Sequence, residues 1–158
     1  MKKLHVIGWR EKVNLPEWDI QGLLAKSDTG ANSSAIDVAW LEEGEDGLVR
    51  FGVRLSRKYP DRIQVVESRI VRTTRIRSSN GVRAHRVFVE TEILIGRVRK
   101  RVEFGLVCRK KMLCRVLLGR KALEGDFLVD CSDRHLHADD ATPPSMVRIK
   151  PGIPKASK

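Results

Sequence analysis

Residues 64–77 and 82–95 form two long runs of alternating side chains, with Val65, Ile70, Val71 and Ile76 in the first and Val87, Val89, Ile93 and Ile95 in the second. Between them stands Ser78-Ser79-Asn80-Gly81, and Asn-Gly is the strongest short-range hairpin signal because both residues tolerate positive φ. A period of two puts one face of a strand on a core and leaves the other in solvent. The chain is thereby committed to a long two-stranded arm, and stretches of helical periodicity are scarce elsewhere.

The remaining segments follow the same grammar. Short strands are expected at 6–9 and 20–26, and a clean alternation over 48–55 follows an acidic turn at 42–47. Residues 98–107 pair back across Gly96-Arg97, residues 115–119 make a short apolar strand, 120–124 one helical turn, and 127–129 the last strand. The fold class is all-β. A length of 158 residues suits one compact domain, placed at residues 1–138. Residues 139–158 carry Thr142-Pro143-Pro144, Pro151-Gly152 and Pro154 and end in Lys155-Ala156-Ser157-Lys158, with little to bury, so a mobile basic tail is expected there. No repeat of a solenoid or propeller period is visible.

Lys and Arg total 31 against 20 Asp and Glu, a formal net charge of +11. That excess suits a polyanionic partner. No apolar run approaches the roughly 20 residues of a membrane span, and the N-terminus lacks an apolar signal region. Three cysteines in unrelated contexts, Cys108, Cys114 and Cys131, make no disulfide framework. The expected setting is the cytoplasm, with no membrane partner.

The most informative tripeptide is Asp28-Thr29-Gly30, followed by Ala31, at the end of the apolar Leu23-Leu24-Ala25. A carboxylate at a strand-to-turn junction, with glycine beside it for close backbone approach and threonine for local hydrogen bonding, is a way to present an acid to a cleft. Alone it also describes an ordinary turn, and its neighbours in the chain decide between the two.

Downstream come, in order, the Asn-Gly arm, a strand pair, and Val116-Leu117-Leu118-Gly119-Arg120 with its helical turn. This order resembles the retropepsin-like aspartic proteases, in which the Asp-Thr-Gly loop is followed by a flap hairpin and a later apolar-apolar-Gly segment closes under that loop. Over residues 6–136 the chain resembles more closely a bacterial family described as ATP-dependent zinc proteases, also as retropepsin-like and RimB-like. The shared blocks are Ile7-Gly8-Trp9-Arg10-Glu11, the segment from Ala25 to Ala35, Val49-Arg50-Phe51, Ser78-Ser79-Asn80-Gly81, and Leu117 to Leu123 with Phe127-Leu128-Val129-Asp130. Ser27 departs from the pattern, standing where an apolar residue usually precedes the Asp, and the segment after Asp130 is rich in His and Cys.

The resemblance implies a closed, retropepsin-like, acid-protease barrel with a flap hairpin and one short C-terminal helix. It also implies an aspartic endopeptidase. Such an enzyme needs two carboxylates sharing one proton and one water, since like charges a few ångströms apart cannot both ionise. The chain has a single Asp-Thr-Gly, so this activity requires a C2 homodimer with Asp28 of each protomer facing across the axis. By carry-over, Thr29 locks the two loops across the dimer and Gly30, with Ala31, admits the substrate backbone. Ser78, Ser79, Asn80 and Gly81 form the flap tip over the substrate, and Leu117, Leu118, Gly119 and Arg120 support the active-site loop.

The zinc and ATP of the family description find no motif here. There is no His-Glu-x-x-His and no phosphate-binding glycine loop before Gly119-Arg120-Lys121. Cys131, Asp133, His135 and His137 supply ligand types at close spacing, and on a strand His135 and His137 would share a face, which permits a metal without requiring it. No cofactor and no metal are expected. His5 and His85 are expected at the surface or on the hairpin, and Cys108 and Cys114 as semi-buried thiols.

The charge has a place to act. Arg72, Arg75, Arg77, Arg83 and Arg86 lie along the two arms of the flap, with Arg75 and Arg77 on one face, where they would draw a polyanionic peptide to the cleft. Members of the resembled family often lie beside glutamate ligases, which implies an acidic substrate with glutamate-extended tails, as on a ribosomal protein. Two alternatives stand beside this one. A nucleic-acid or ribosome-binding β module would use the same charge, together with Arg57, Lys58 and Arg109-Lys110-Lys111, although no aromatic stacking pattern accompanies it. The other is a protease-fold dimer that has lost activity.

Overall fold

The computed structural model describes residues 3–77, 81 and 83–135. Among these, ten strands run in the order β1 (His5–Gly8), β2 (Arg10–Leu15), β3 (Ile20–Ser27), β4 (Ser34–Glu43), β5 (Leu48–Arg54), β6 (Ile63–Arg77), β7 (Arg83–Ile95), β8 (Val98–Val107), β9 (Val116–Leu118) and β10 (Phe127–Asp130). A 3-10 turn, Pro16–Trp18, joins β2 to β3, and the short helix α1 (Arg120–Leu123) follows β9. The all-β expectation holds. The proposed tail 139–158 lies outside the described residues.

Eight strands form one sheet in the order β2-β3-β9-β4-β5-β6-β7-β8, which closes because β8 pairs in parallel with β4 and β7 returns to β2. β1 and β10 make a separate parallel pair, with Ile7 opposite Val129. Alternation builds the interior: Val49, Phe51 and Val53 of β5, Val87, Val89, Ile93 and Ile95 of β7, and Val102, Phe104 and Leu106 of β8 are all buried in one core. Trp18, delivered by the 3-10 turn, meets the Phe51 ring edge-on at a centroid distance of 5.3 Å, a contact worth about 0.5–1.5 kcal/mol beyond its area.

β2 and β4 are among the strands that carry no clean alternation. Val13, Asn14 and Leu15 are all buried, as are Ile36, Asp37 and Val38, because both faces of these strands are covered. Asp37 is a fully buried carboxylate. It accepts from Arg54 Nη1 at 2.7 Å, from the Arg109 backbone amide at 2.9 Å and from Arg115 Nη1. Arg115 also donates to the Met112 carbonyl. A buried ion tolerates its desolvation only when so many donors converge on it, and the result anchors the 108–115 loop to the barrel.

β6 and β7 form the long antiparallel arm anticipated from the alternation, with Ile70 opposite Val89 and, after a shift of register, Arg72 opposite Phe88 through to Arg77 opposite Arg83. Gly81 has φ +83°, which suits it to the turn. Ser78, Ser79 and Asn80 lie outside the described residues.

Candidate active site

Asp28 stands immediately after β3, and its position is set by β9. β9 lies between β3 and β4, parallel to the first, with Ser27 opposite Leu118, and antiparallel to the second, with Ala35 opposite Leu117. The loop from Asp28 to Ser33 therefore bridges two strands separated by a third. Leu117 and Leu118 support it from beneath: the Asp28 amide donates to the Leu118 carbonyl at 2.8 Å. Chain reversal follows at once, with the Ala31 amide donating to the Asp28 carbonyl at 3.2 Å and the Gly30 amide to Asp28 Oδ1, also at 3.2 Å.

Gly119 closes the support. Its amide donates to Ser34 Oγ at 3.0 Å, while a β-carbon at this position would lie 2.5 Å from the Ser33 carbonyl oxygen. The next two amides continue the seam, Arg120 to the Ala31 carbonyl at 2.8 Å and Lys121 to the Asn32 carbonyl at 3.1 Å. Arg120 adds its guanidinium, which donates from Nη1 to the Thr29 carbonyl at 3.1 Å. Asp28 is left half-buried, with Thr29 and Gly30 exposed. A carboxylate fixed by its backbone and open on one side can hold a water and exchange a proton with it.

Ser27, the departure from the resembled pattern, has its own use. Its hydroxyl donates to the Gly8 carbonyl at 3.1 Å and its amide to the Trp9 carbonyl at 2.9 Å. Gly8 in turn donates to the buried Glu11 carboxylate at 2.7 Å. Thus the β1–β2 corner buttresses the loop from the other side.

The arm reaches the same loop. Arg72 of β6 stacks its guanidinium 3.7 Å from the Phe88 ring centroid, donates to Glu103 Oε1 at 2.8 Å and approaches Ser33 Oγ at 3.5 Å. An open hollow of about 360 Å³ beside the loop is lined by Ser33, Ser34, Arg72, Glu103 and Lys121 among others. Arg75 is exposed, opposite His85 in the register, and the exposed His85 ring lies 3.1 Å from the Glu43 carboxylate. The side chain of Arg77 and residues Ser78, Ser79 and Asn80 lie outside the described residues, while Gly81 is exposed.

Residues 6–140 match the RimB-like family, described as retropepsin-like aspartic endopeptidase RimB. The chain belongs to that family. Its fold is that of a Legionella pneumophila protein of unknown function, with a TM-score of 0.69 at 24% identity over 85% of this chain and 99% of the other. Among curated relatives, a Shewanella pealeana protein named probable alpha-L-glutamate ligase is 32% identical over 132 residues, and a Parasynechococcus marenigrum protein of the same name is 27% identical over 144. These alignments cover 81% and 88% of this chain but 29% and 30% of the relatives, so a RimB-like chain spans about three tenths of their length.

Three expectations are corrected. His135 is not on a strand: it has φ +55° and its amide donates to the Arg10 carbonyl at 2.8 Å. Cys131 and Asp133 are exposed, and no three side chains of His, Cys, Asp or Glu converge on a cation position among the described residues, while His137 lies outside them. Cys108 and Cys114 are not alike either, for the first is exposed and the second buried. Arg72 is half-buried and already paired with Glu103, so its charge is largely neutralised. Sequence reasoning did not find the Asp37–Arg54–Arg115 cluster or Ser34 as the cap of Gly119, since both join residues far apart in the chain. Among the described residues no helix is long and apolar enough to cross a membrane.

Proposed function

We propose that the chain is one half of an aspartic peptidase, completed by a second copy of itself and acting on acidic, glutamate-extended protein tails. The observation that carries this reading is Asp28, half-buried at the end of β3 and fixed from beneath by the Leu118 carbonyl and the bare Cα of Gly119. Paired across a two-fold axis, two such carboxylates share one proton and hold one water between them. The ionised Asp28 takes a proton from the water as its oxygen attacks the peptide carbonyl. The protonated one gives its proton to the carbonyl oxygen; the amine then leaves with the proton taken from the water, as a hydroxyl of the collapsing tetrahedral centre returns its proton to the second Asp28. Thr29 and Arg120 hold the loop, and the arm of β6 and β7 closes over the substrate and excludes water.

The substrate class draws support from two sides. A net charge of +11 favours a polyanionic partner, and the curated relatives that contain a segment like this one are named for glutamate ligation. A peptidase beside such chemistry would trim what the ligation extends. The test is cleavage of a peptide ending in a run of glutamates by the wild-type chain and by Asp28→Asn, with and without a chelator. Release of shortened peptide by the wild type alone, unchanged by chelation, is expected. Equal cleavage by the folded Asp28→Asn chain would remove Asp28 from the mechanism. Steeply salt-dependent RNA binding without cleavage would favour the nucleic-acid module instead.

A further inference from the structure

Strands β5, β6, β8 and β9 all end or begin beside Asp37. β5 ends at Arg54, whose Nη1 donates to Asp37 Oδ1 at 2.7 Å. β8 ends at Val107, opposite Asp37 in the parallel register, and two residues later the Arg109 amide donates to the same Oδ1 at 2.9 Å. Arg54 Nη2 also reaches Cys108 Sγ at 3.7 Å. Arg115, just before β9, takes Asp37 Oδ2 and the Met112 carbonyl, and β6 begins at Ile63 opposite Arg54. The loop 55–62 between β5 and β6 and the loop 108–115 between β8 and β9 therefore leave the same end of the barrel, tied to each other through Arg54 and Asp37.

Both loops are basic. Ser56-Arg57-Lys58-Tyr59-Pro60-Asp61-Arg62 and Cys108-Arg109-Lys110-Lys111-Met112-Leu113-Cys114 hold six cations and one carboxylate, Asp61, which is close to half of the net charge of +11. All six cations are exposed, and none has a carboxylate partner among the described residues. On the β8 side of the barrel, by contrast, Arg72, Arg99, Lys100 and Arg101 are each paired with Glu or Asp. Tyr59 stands among the unpaired cations, 43% exposed, with Arg62 Cζ 4.3 Å and Lys58 Nζ 5.4 Å from its ring centroid. The backbone beneath is fixed: the Tyr59 amide donates to Ser56 Oγ at 3.1 Å, the Arg62 amide to the Tyr59 carbonyl at 3.0 Å and the Leu55 amide to the Arg62 carbonyl at 3.0 Å. In the second loop the Met112 amide donates to the Arg109 carbonyl at 2.9 Å, and an open hollow of about 560 Å³ is lined by residues 108–112.

We propose that this end of the barrel binds single-stranded nucleic acid, with the phosphates held by the cations of both loops and a base stacked on the ledge formed by Tyr59 and Arg62. Lys and Arg hold the phosphate backbone without reading sequence, while aromatic rings and guanidinium planes accept any base. The function is separate from the peptidase reading and does not depend on it. Leu118, at one end of β9, holds the Asp28 amide, whereas Arg115 precedes the other end, so roughly 10 Å of strand, at about 3.3 Å per residue, lies between the two sites. A nucleic acid is favoured over an acidic peptide because the exposed ring offers a stacking surface that a carboxylate does not use. It is favoured over an anionic membrane because the Tyr59 ring is flanked by Arg62 and Lys58, which suits a stacked base and not hydrocarbon.

Fluorescence polarisation of a fluorescein-labelled uridine oligonucleotide over a series of salt concentrations tests this on the full chain. The variants are Arg57→Gln with Lys58→Gln in the first loop, Lys110→Gln with Lys111→Gln in the second, and Tyr59→Ala. A control pair, Lys12→Gln with Arg97→Gln, removes the same charge at exposed positions elsewhere. Each loop pair should weaken binding roughly tenfold or more and reduce the slope of log affinity against log salt by about 1.4, since each lost phosphate contact removes about 0.7 for a single strand. Tyr59→Ala should weaken binding roughly fivefold or more and leave the slope unchanged, as loss of stacking requires. The control pair should lose little, and Asp28→Asn should bind as the wild type does. Thermal melts establish that each variant is folded. Equal losses in the control and loop pairs would overturn the site, leaving only the net charge to act. So would full affinity in either loop pair. Loop variants that lose affinity for a glutamate-tailed peptide but not for the oligonucleotide would assign the surface to the peptide, and loss of sedimentation with phosphatidylserine vesicles without loss of oligonucleotide binding would assign it to a membrane; both would overturn the proposal.

Discussion

Gly119 lies directly beneath the Ser33 carbonyl, so close that a β-carbon at 119 would stand 2.5 Å from the Ser33 oxygen and 3.0 Å from that of Ala31. The Ala31 oxygen accepts from the Arg120 amide and the Asn32 oxygen, next to Ser33, from the Lys121 amide, so a β-carbon at 119 would have to move the loop.

Gly119→Ala is therefore expected to lower stability by about 1–3 kcal/mol, the range for overpacking a filled site, and to reduce activity by more than that loss alone explains. Urea unfolding and peptide cleavage at a temperature where the variant is fully folded measure the two effects. A variant as active as the wild type would show that the seam under the loop does not position Asp28.

Asp37 holds two arginines that stand 17 and 78 positions away in the chain. Asp37→Ala leaves Arg54 and Arg115 buried without their carboxylate and should cost about 3–5 kcal/mol. Replacing the whole cluster by Asp37→Leu with Arg54→Met and Arg115→Met should cost markedly less, because no uncompensated charge remains inside. Denaturation midpoints of the single and triple variants decide this.

The His135 ring is held below the ordinary histidine range, chiefly by burial and next by the Arg10 charge. The unfolded chain consequently takes up this proton at a higher pH than the folded one. Stability contributed by neutral His135 is full above the ordinary value of 6.5 and falls as pH drops from there towards the lower folded value. The wild type should lose more stability than His135→Gln between pH 7.5 and pH 5.5, and equal losses would remove His135 from the acid limb.

Burial also pushes the Cys114 thiol up, whereas Cys108 and Cys131 are exposed. Alkylation under native conditions, followed by peptide mass analysis, should label Cys108 and Cys131 well before Cys114. Simultaneous labelling of all three would contradict the packing of residues 108–116.

The long arm of β6 and β7 was legible because apolar residues recur at every second position over much of both runs and Asn80-Gly81 stands between them. β2 and β4 were not, since a strand buried on both faces has no alternating pattern, and Asp37 reads as a surface residue until Arg54 and Arg115 fold onto it. Asp28, Gly30 and Gly119 were found through their order in the chain, and the geometry joins Asp28 to Leu118 and Gly119 to Ser34 as that order implies. The charge was legible only as a total. That Arg72 is paired with Glu103, and that the Arg86 stem and the Phe88 ring lie over the bare Gly105, depends on contacts between strands that no local pattern announces.

The central claim is that each active site uses Asp28 from two chains. Wild-type and Asp28→Asn chains are mixed in equal amounts, unfolded and refolded together, and cleavage of the glutamate-tailed peptide is compared with that of the same total of wild-type protein. Random pairing leaves about one quarter of the dimers with both carboxylates, so a rate near one quarter is expected. A rate near one half, falling in proportion to the wild-type fraction, would contradict the shared site.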